Sequence, residues 1–481
     1  MSTTPTSTYT ASSSPSSNRL LWLVAIGFFM ETLDATIVNT ALPSMAKSLN
    51  TSPFMMQAVV IAYALTIAVL IPASGWIADR FGTRKVFFSA ILIFTIGSLC
   101  CALSQTLTQL VVSRVLQGVG GAMMMPVGRL AVLRAFPANQ FLRAISFVTI
   151  PALIGPLIGP TLGGYLVEYA SWHWIFLINI PVGIIGCIAT YLDMPDIRGI
   201  ETPKFDLTGF ILLSLSMVLI SLALDGMSEL RFPQAIVLIL IIFGLAALSA
   251  YWLHARHAHR PLFSLSLFQS STYTIGLLGN LFARIGSSSM PFLIPLFLQI
   301  SLGYSPFQAG MTMIPVALAG IYAKKLATPL ITRWGYRNTL VYNTLTVGIM
   351  MASFALINEN QPQWLRIVQL LIFGTVNSLQ FTAMNTLTLK DLQPRLASSG
   401  NSLFSMVQML AMSFGVAAAG ALLSTFAAHY PGAPGGGMAL GAFRAAFLCM
   451  GLITCSSAWI FWQLPPEMVG RPKDTEKVLV E

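Results

Sequence analysis

A chain of 481 residues that is 55% hydrophobic and only 9% charged, with a mean hydropathy of +0.76, is excluded from the soluble globular class, whose members carry roughly 25% charged residues. The net charge of +10 does not call for a nucleic-acid partner, because the basic residues are scattered through short connectors between apolar runs. About nineteen of the 26 Lys and Arg fall on one side of an alternating topology, and that side is expected to be cytoplasmic, with both termini.

An apolar stretch of about 20 residues crosses the hydrocarbon core as a helix. The pattern predicts an all-α polytopic membrane protein with about fourteen spans. Six lie near 20–42, 56–77, 86–104, 108–133, 142–166 and 174–192, and two more near 207–225 and 234–254. The last six lie near 270–299, 307–329, 339–357, 364–388, 401–425 and 441–463. Residues 1–19 are rich in Ser and Thr and read as a disordered tail. Arg19 and the apolar run after it resemble the start of a signal peptide. The run continues past Glu31 and Asp34 to end at Pro43, with no small-residue cleavage site, so the first helix is expected to stay.

Glu31 and Asp34 lie three apart, on one face of the first span. Ionisable groups at that depth cost about 2.5–3.5 kcal/mol on insertion scales and usually face a cavity or a partner. An acid kept from water is more readily protonated, so both are candidate proton carriers. The competing reading makes Asp34 a structural partner of a nearby Arg. Between the second and third spans, Gly75-Trp-Ile-Ala-Asp79-Arg80-Phe-Gly82-Thr-Arg84-Lys85 packs four charges into eleven residues. It is either a cytoplasmic anchor or a working hinge.

The fourth span places Arg114 and Gln117 on a face lined by Gly118, Gly120 and Gly121, where another backbone can approach. A guanidinium keeps its proton, which suits Arg114 to holding an acid. Arg129, later in the same span, is expected to snorkel toward the interface. The fifth span carries Gly155-Pro156, Gly159-Pro160 and Gly163-Gly164. The repeated prolines favour a bending element over a plain packing stripe.

In the ninth span, Arg284 sits near mid-helix, followed by Gly286 and Pro291. It contacts an anionic substrate or locks a structural pair. Asn377, Asn385 and Gln408 in later spans either line a cavity with Gln117 and Arg284 or join helices to one another. His254, His257 and His259 read as a solvated juxtamembrane cluster, and the five cysteines as small packing residues with no metal-ligand spacing. No Gly-x-x-x-x-Gly-Lys-[Ser/Thr] loop and no His-Glu-x-x-His site occur. No metal, no cofactor, no ATP-driven mechanism and no enzymatic activity are therefore expected.

Two short strings recur. Arg333-Trp-Gly335-Tyr-Arg337 echoes Arg80-Phe-Gly82-Thr-Arg84, and Ser305-Pro306-Phe307 echoes Ser52-Pro53-Phe54, both at an offset of 253. Equal offsets indicate a repeat in parallel register, as for two bundles related about the membrane normal. The expected organisation is a tail at 1–19, a six-helix bundle at 20–192, two linker helices within 193–264, a second six-helix bundle at 265–465 and a cytoplasmic tail at 466–481.

These strings are similar to the motifs of the major facilitator superfamily, in its fourteen-span branch of drug:proton antiporters. Gly75–Lys85 resembles the family's loop between the second and third helices, with Ile77 for Leu and Thr83 for the first Arg. Leu33–Pro43 resembles the branch's first-helix signature, Leu110–Gly121 the proton-coupling motif, and Gly155–Gly164 the motif of exporters. Trp172–Gly183 is also similar to that branch. The resemblance covers essentially 19–465. It implies two pseudo-symmetric six-helix bundles around a midplane cavity, with two extra helices at the side, in a bacterial inner membrane. The implied activity is proton-coupled efflux of drugs or toxic amphiphiles by alternating access. Asp34, Glu31 and Arg114 would carry proton coupling, and Gly75, Asp79, Arg80, Gly82 and Arg84 would form a conformational gate. Export of an organic anion, a siderophore or a citrate-type metal chelate is the alternative. A non-transporting membrane sensor is a remote one, since the stretch after Pro466 is too short for an output domain. The partners expected are a small-molecule substrate, protons and the lipid bilayer, not nucleic acid; the sequence does not identify a periplasmic adaptor.

Overall fold

The computed structural model describes residues 15–53, 55–136, 138–198, 204–228, 233–357, 361–391, 396–429 and 440–466. All regular structure among them is helical. The first set comprises α1 (Pro15–Ser48), α2 (Gln57–Phe81), α3 (Thr83–Ala102), α4 (Leu107–Ala135), α5 (Ala138–Tyr169), α6 (Trp174–Leu177) and α7 (Asn179–Asp193). A pair follows, α8 (Leu207–Ser228) and α9 (Gln234–His257). The last set is α10 (Ser271–Ile300), α11 (Pro306–Thr312), α12 (Ile314–Ser353), α13 (Gln363–Lys390), α14 (Ala397–His429), α15 (Leu440–Ser456) and α16 (Ala458–Trp462).

Twelve of the described helices are long and apolar enough to cross a membrane. The fifth expected span is α5, and the tenth is α11 with the first part of α12. The sixth and last expected spans are each a long helix broken once, α6 with α7 and α15 with α16.

Two boundaries differ from expectation. The first helix begins at Pro15, so part of the expected tail is helical, and it runs through Pro43 to Ser48. A proline inside a helix removes one hydrogen bond, and here the turns on either side hold without it. Residues 1–14 and 467–481, where the rest of the expected tails fall, lie outside the described residues.

The repeat is written into the backbone. The described residues with positive φ are Asn50 (50°), Gly82 (95°), Gly303 (67°) and Gly335 (73°). They form two pairs, Asn50 with Gly303 and Gly82 with Gly335, each at the offset of 253 seen in the sequence echoes. Gly82 separates α2 from α3, and Gly335 is the non-helical joint within α12. Left-handed backbone is the conformation glycine adopts at least cost, which accounts for the glycine in both Arg-x-Gly-x-Arg strings.

In the first set α1 packs on α5, and α4 packs between α2 and α3. In the last, α12 packs on α13 and α15, and α10 on α14. The two sets meet through α2 on α14 and α5 on α11. The α8–α9 pair lies beside that first seam, with α8 against α14 and α2.

Among the described residues, the hydrogen bonds that join the two sets lie at the end of the bundle away from the 75–85 loop. Gln299 Nε2 donates to the Thr40 carbonyl at 3.0 Å, and Thr161 Oγ1 to the Gly310 carbonyl at 3.2 Å. A Cβ on Gly164 would lie 2.3 Å from the Pro306 carbonyl oxygen, and one on Gly310 the same distance from that of Pro160. Backbone meets backbone at that seam, and only glycine permits the approach.

Candidate functional site

Asp34 is wholly buried on α1, and side chains from three other helices converge on it. Arg114 Nη1 on α4 donates to Asp34 Oδ2 at 2.6 Å, while Gln117 Nε2 and Asn179 Nδ2 donate to Oδ1 at 2.8 and 2.9 Å. Ser98 on α3 accepts from both amides, at 2.8 and 3.3 Å. Arg114 also donates to Gln117 Oε1 at 2.6 Å and, through Nε, to the Val59 carbonyl at 3.3 Å. Its guanidinium lies 4.1 Å from the centroid of the Tyr63 ring, a face that attracts a cation. A buried charge pair is tolerated when further hydrogen bonds satisfy both partners. That condition is met here.

Local packing brings these side chains together. Thr106 caps the start of α4, accepting from the Gln109 N–H at 3.2 Å. Gly97 admits α4 so closely that a Cβ there would lie 2.6 Å from Gln117 Cα. The glycines of α5 do the same for α1. Cβ atoms at Gly155, Gly159 and Gly163 would collide with Thr32, Thr36 and Ile37. The stripe is thus a packing surface, on a helix that stays continuous through Pro151, Pro156 and Pro160.

Glu31, one turn before Asp34, borders a cavity of about 80 Å³ between α1, α2, α4 and α14. Arg129, Gly121, Asn401, Ser402 and Gln408 also line it. Glu31 is buried, and its Oε2 makes no hydrogen bond. Arg129, expected at the interface, instead borders this cavity with Glu31. Gln117, expected in a substrate cavity, is sealed off with both ends of its amide engaged.

Gln408 lines the cavity and also donates to Asn385 Oδ1 at 2.9 Å. Asn377 is half-buried two turns earlier on α13. Arg284 stacks over Phe381, its Cζ 4.2 Å from the ring centroid, and its buried Nη1 has no hydrogen-bond partner. No Asp or Glu occurs within the described helices α10 to α16, so no acid there balances it.

At the 75–85 loop, Asp79 pairs with Arg134 at the end of α4. Arg80 is exposed, and Gly75 has open space beside it. Arg84 Nε donates to the Met194 carbonyl at 2.5 Å. Thr83 is buried. Its hydroxyl donates to the Pro195 carbonyl at 2.8 Å and accepts from the Ile197 N–H at 3.1 Å. The segment leaving α7 is therefore clasped to this loop, and the Asp196 carboxylate lies over Gly82. His254, from the expected juxtamembrane cluster, pairs with Asp206 at 2.7 Å. Among the described residues no group of three His, Cys, Asp or Glu could hold a metal ion.

Sequence reasoning missed Asn179 and Ser98. Asn179 is a polar residue within an apolar span, a weak signal; Ser98 carried none.

A sequence profile of the Major Facilitator Superfamily matches residues 24–416. Proteins named "Putative multidrug resistance protein MdtD" are similar along nearly the whole chain. That of Pectobacterium atrosepticum is 52% identical, covering 93% of this chain and 96% of its own. That of Serratia proteamaculans is 53% identical, covering 93% of each. Among solved structures, a D-xylose-proton symporter superposes with a TM-score of 0.67 at 14% identity, covering 93% of this chain and 98% of its own. A POT family transporter in complex with 5-aminolevulinic acid superposes with a TM-score of 0.65 at 15% identity, covering 92% and 94%. These last two likenesses concern the fold alone.

Proposed function

We propose that this chain, which belongs to the Major Facilitator Superfamily, exports drugs or toxic amphiphiles across a bacterial inner membrane in exchange for protons. The observation that carries the reading is the Asp34–Arg114 pair, sealed within a span, with a second acid one turn away at a cavity. An intramembrane charge held at this expense is a functional hypothesis by default. The names of the relatives support the substrate class.

In this reading the bundles 20–192 and 265–465 rock against each other, with both termini in the cytoplasm. Glu31 meets the cavity, Asp34 exchanges the proton, and Arg114 holds the carboxylate when the proton leaves. The 75–85 loop is the gate at the cytoplasmic end, and Gly155–Gly164 is the helix that moves. One proton entering down 100 mV supplies about 2.3 kcal/mol, and one pH unit adds about 1.4 kcal/mol. Together they support a gradient of several hundredfold for a neutral substrate. Asp34→Asn is expected to abolish proton-driven ethidium efflux from cells while the protein still inserts in the membrane. Efflux at the wild-type rate would refute the assignment.

A second reading is favoured by Arg284, whose buried guanidinium has no acid partner in its own set of helices. Such a cation suits an organic anion or a citrate-type chelate. Arg284→Gln is then expected to abolish citrate export and spare ethidium export. Loss of both would make Arg284 structural.

A further inference from the structure

The two sets of helices are tied together at the outer seam, the end away from the 75–85 loop, by a carboxylate that none of the motifs includes. Glu168 stands in the last turn of α5, and its Oε2 accepts from Ser305 Oγ at 2.6 Å and from the Phe307 N–H at 3.0 Å. Both donors belong to the start of α11, in the other set.

The first N–H groups of a helix lack partners within it. At α11 a capping box satisfies two of the backbone groups at this end: Ser305 Oγ accepts from the Gln308 N–H at 3.2 Å, and Gln308 Oε1 accepts from the Ser305 N–H at 3.1 Å. Pro306 has no N–H to satisfy. The Phe307 N–H is left over, and Glu168 takes it from across the seam. A carboxylate at a helix start is also favoured by the backbone dipoles.

Around this tie the seam is held by shape. Gly164 and Gly310 each face a proline carbonyl of the other set, and the ring of Phe307 lies 6.0 Å from those of Tyr165 and Tyr169. Below it lies an apolar crevice of about 460 Å³, with Ile158, Leu162, Ile314 and Leu318 in its walls. Glu168 is the one charged side chain bonded across the seam among the described residues. Other titratable groups on elements packed there are Tyr165 and Tyr169 on α5, Lys47 in the last turn of α1 and His173 before α6; α11 has no charged residue. Neither Lys47 nor His173 forms an ion pair with Glu168 within 4 Å.

We propose that Glu168 is a positioning residue for transport, a latch whose hydrogen bonds across the seam hold the outer face closed. The proposal rests on the alternating-access reading above. Both partners give hydrogen bonds, and a carboxylate accepts them more strongly than a neutral amide in its place would.

The test needs no substrate. Spin labels at Thr108→Cys on α4 and Gln363→Cys on α13, both exposed at the outer end, report its opening in lipid nanodiscs once the five native cysteines are replaced. In the otherwise wild-type chain, the outer face should be mainly closed, with a minor open population. Glu168→Gln should raise the open-to-closed ratio about fivefold, the order expected for losing one exposed charged cap. Ser305→Ala should raise the open fraction by less, since the Phe307 N–H still donates to the carboxylate. A Glu168→Gln protein with the wild-type distances overturns the latch. A wild-type chain fixed at one distance in all conditions overturns alternating access and the latch with it. Failure of ethidium export beside a normal latch response would count against the export reading alone.

Discussion

Asp34 accepts hydrogen bonds from three side chains and is closed to solvent, whereas Glu31 faces a cavity with an oxygen unpartnered. The two acids share a helix face, yet they sit in different surroundings. Asp34 and Arg114 were legible in the sequence because charges inside apolar spans are costly and rare. Their direct pairing was one of two readings there, and the geometry shows that the pair exists. Asn179 was not legible as a ligand of Asp34, since an amide in a span is as often glue between helices. Asn179→Ala removes a donor to a buried carboxylate without adding bulk. The expected loss is about 2 kcal/mol of stability, read as a lower melting midpoint in detergent together with slower ethidium efflux. An unchanged midpoint would show that water replaces the amide.

The middle helix pair shows what an element needs in order to stay in place. Asp206 accepts from the Gly209 N–H at 2.9 Å at the start of α8, faces His254 on α9, and accepts from the Leu262 N–H at 3.0 Å. Burial pushes its carboxyl up, but the Gly209 N–H, His254 and the Leu262 N–H outweigh burial and hold it below the usual carboxylate range. A lowered value means the stabilisation is present above the ordinary carboxylate value, near 3.9, and is lost as pH falls through the lowered one. Asp206→Ala is expected to cost about 1–2 kcal/mol. The cost should persist at about pH 6 and shrink only in stronger acid, as the carboxyl itself is protonated. A melting deficit that vanished at about pH 6 would contradict this. The pair itself was visible in the sequence, from its apolar runs and polar connectors; the Asp206 staple was not, because its three partners are up to 56 positions away. The α5 glycines were visible too, but the prolines drew the reading toward bending. Their neighbours on α1 show that the glycines first serve close packing.

At the scale of the whole molecule, duplication was the most legible feature. Two echoed strings at one offset are matched by two pairs of positive-φ residues at that same offset, so the repeat is one of backbone shape as well as of residues. What the strings could not say is which end of the bundle is shut. The contacts of Thr40 with Gln299, Gly164 with Pro306 and Glu168 with Ser305 close the end away from the 75–85 loop. Asp79 is meanwhile held by Arg134 of its own set. The repeat is also uneven, with Thr332 where the second copy would need the counterpart of Asp79. The central claim is exchange of protons for substrate. It is tested most directly by purified protein in liposomes enclosing a pH-sensitive dye, with ethidium added on the side of the 75–85 loop. Ethidium uptake with equal timing of lumenal proton loss, absent in Asp34→Asn, is the predicted result; uptake with no proton movement would contradict the account.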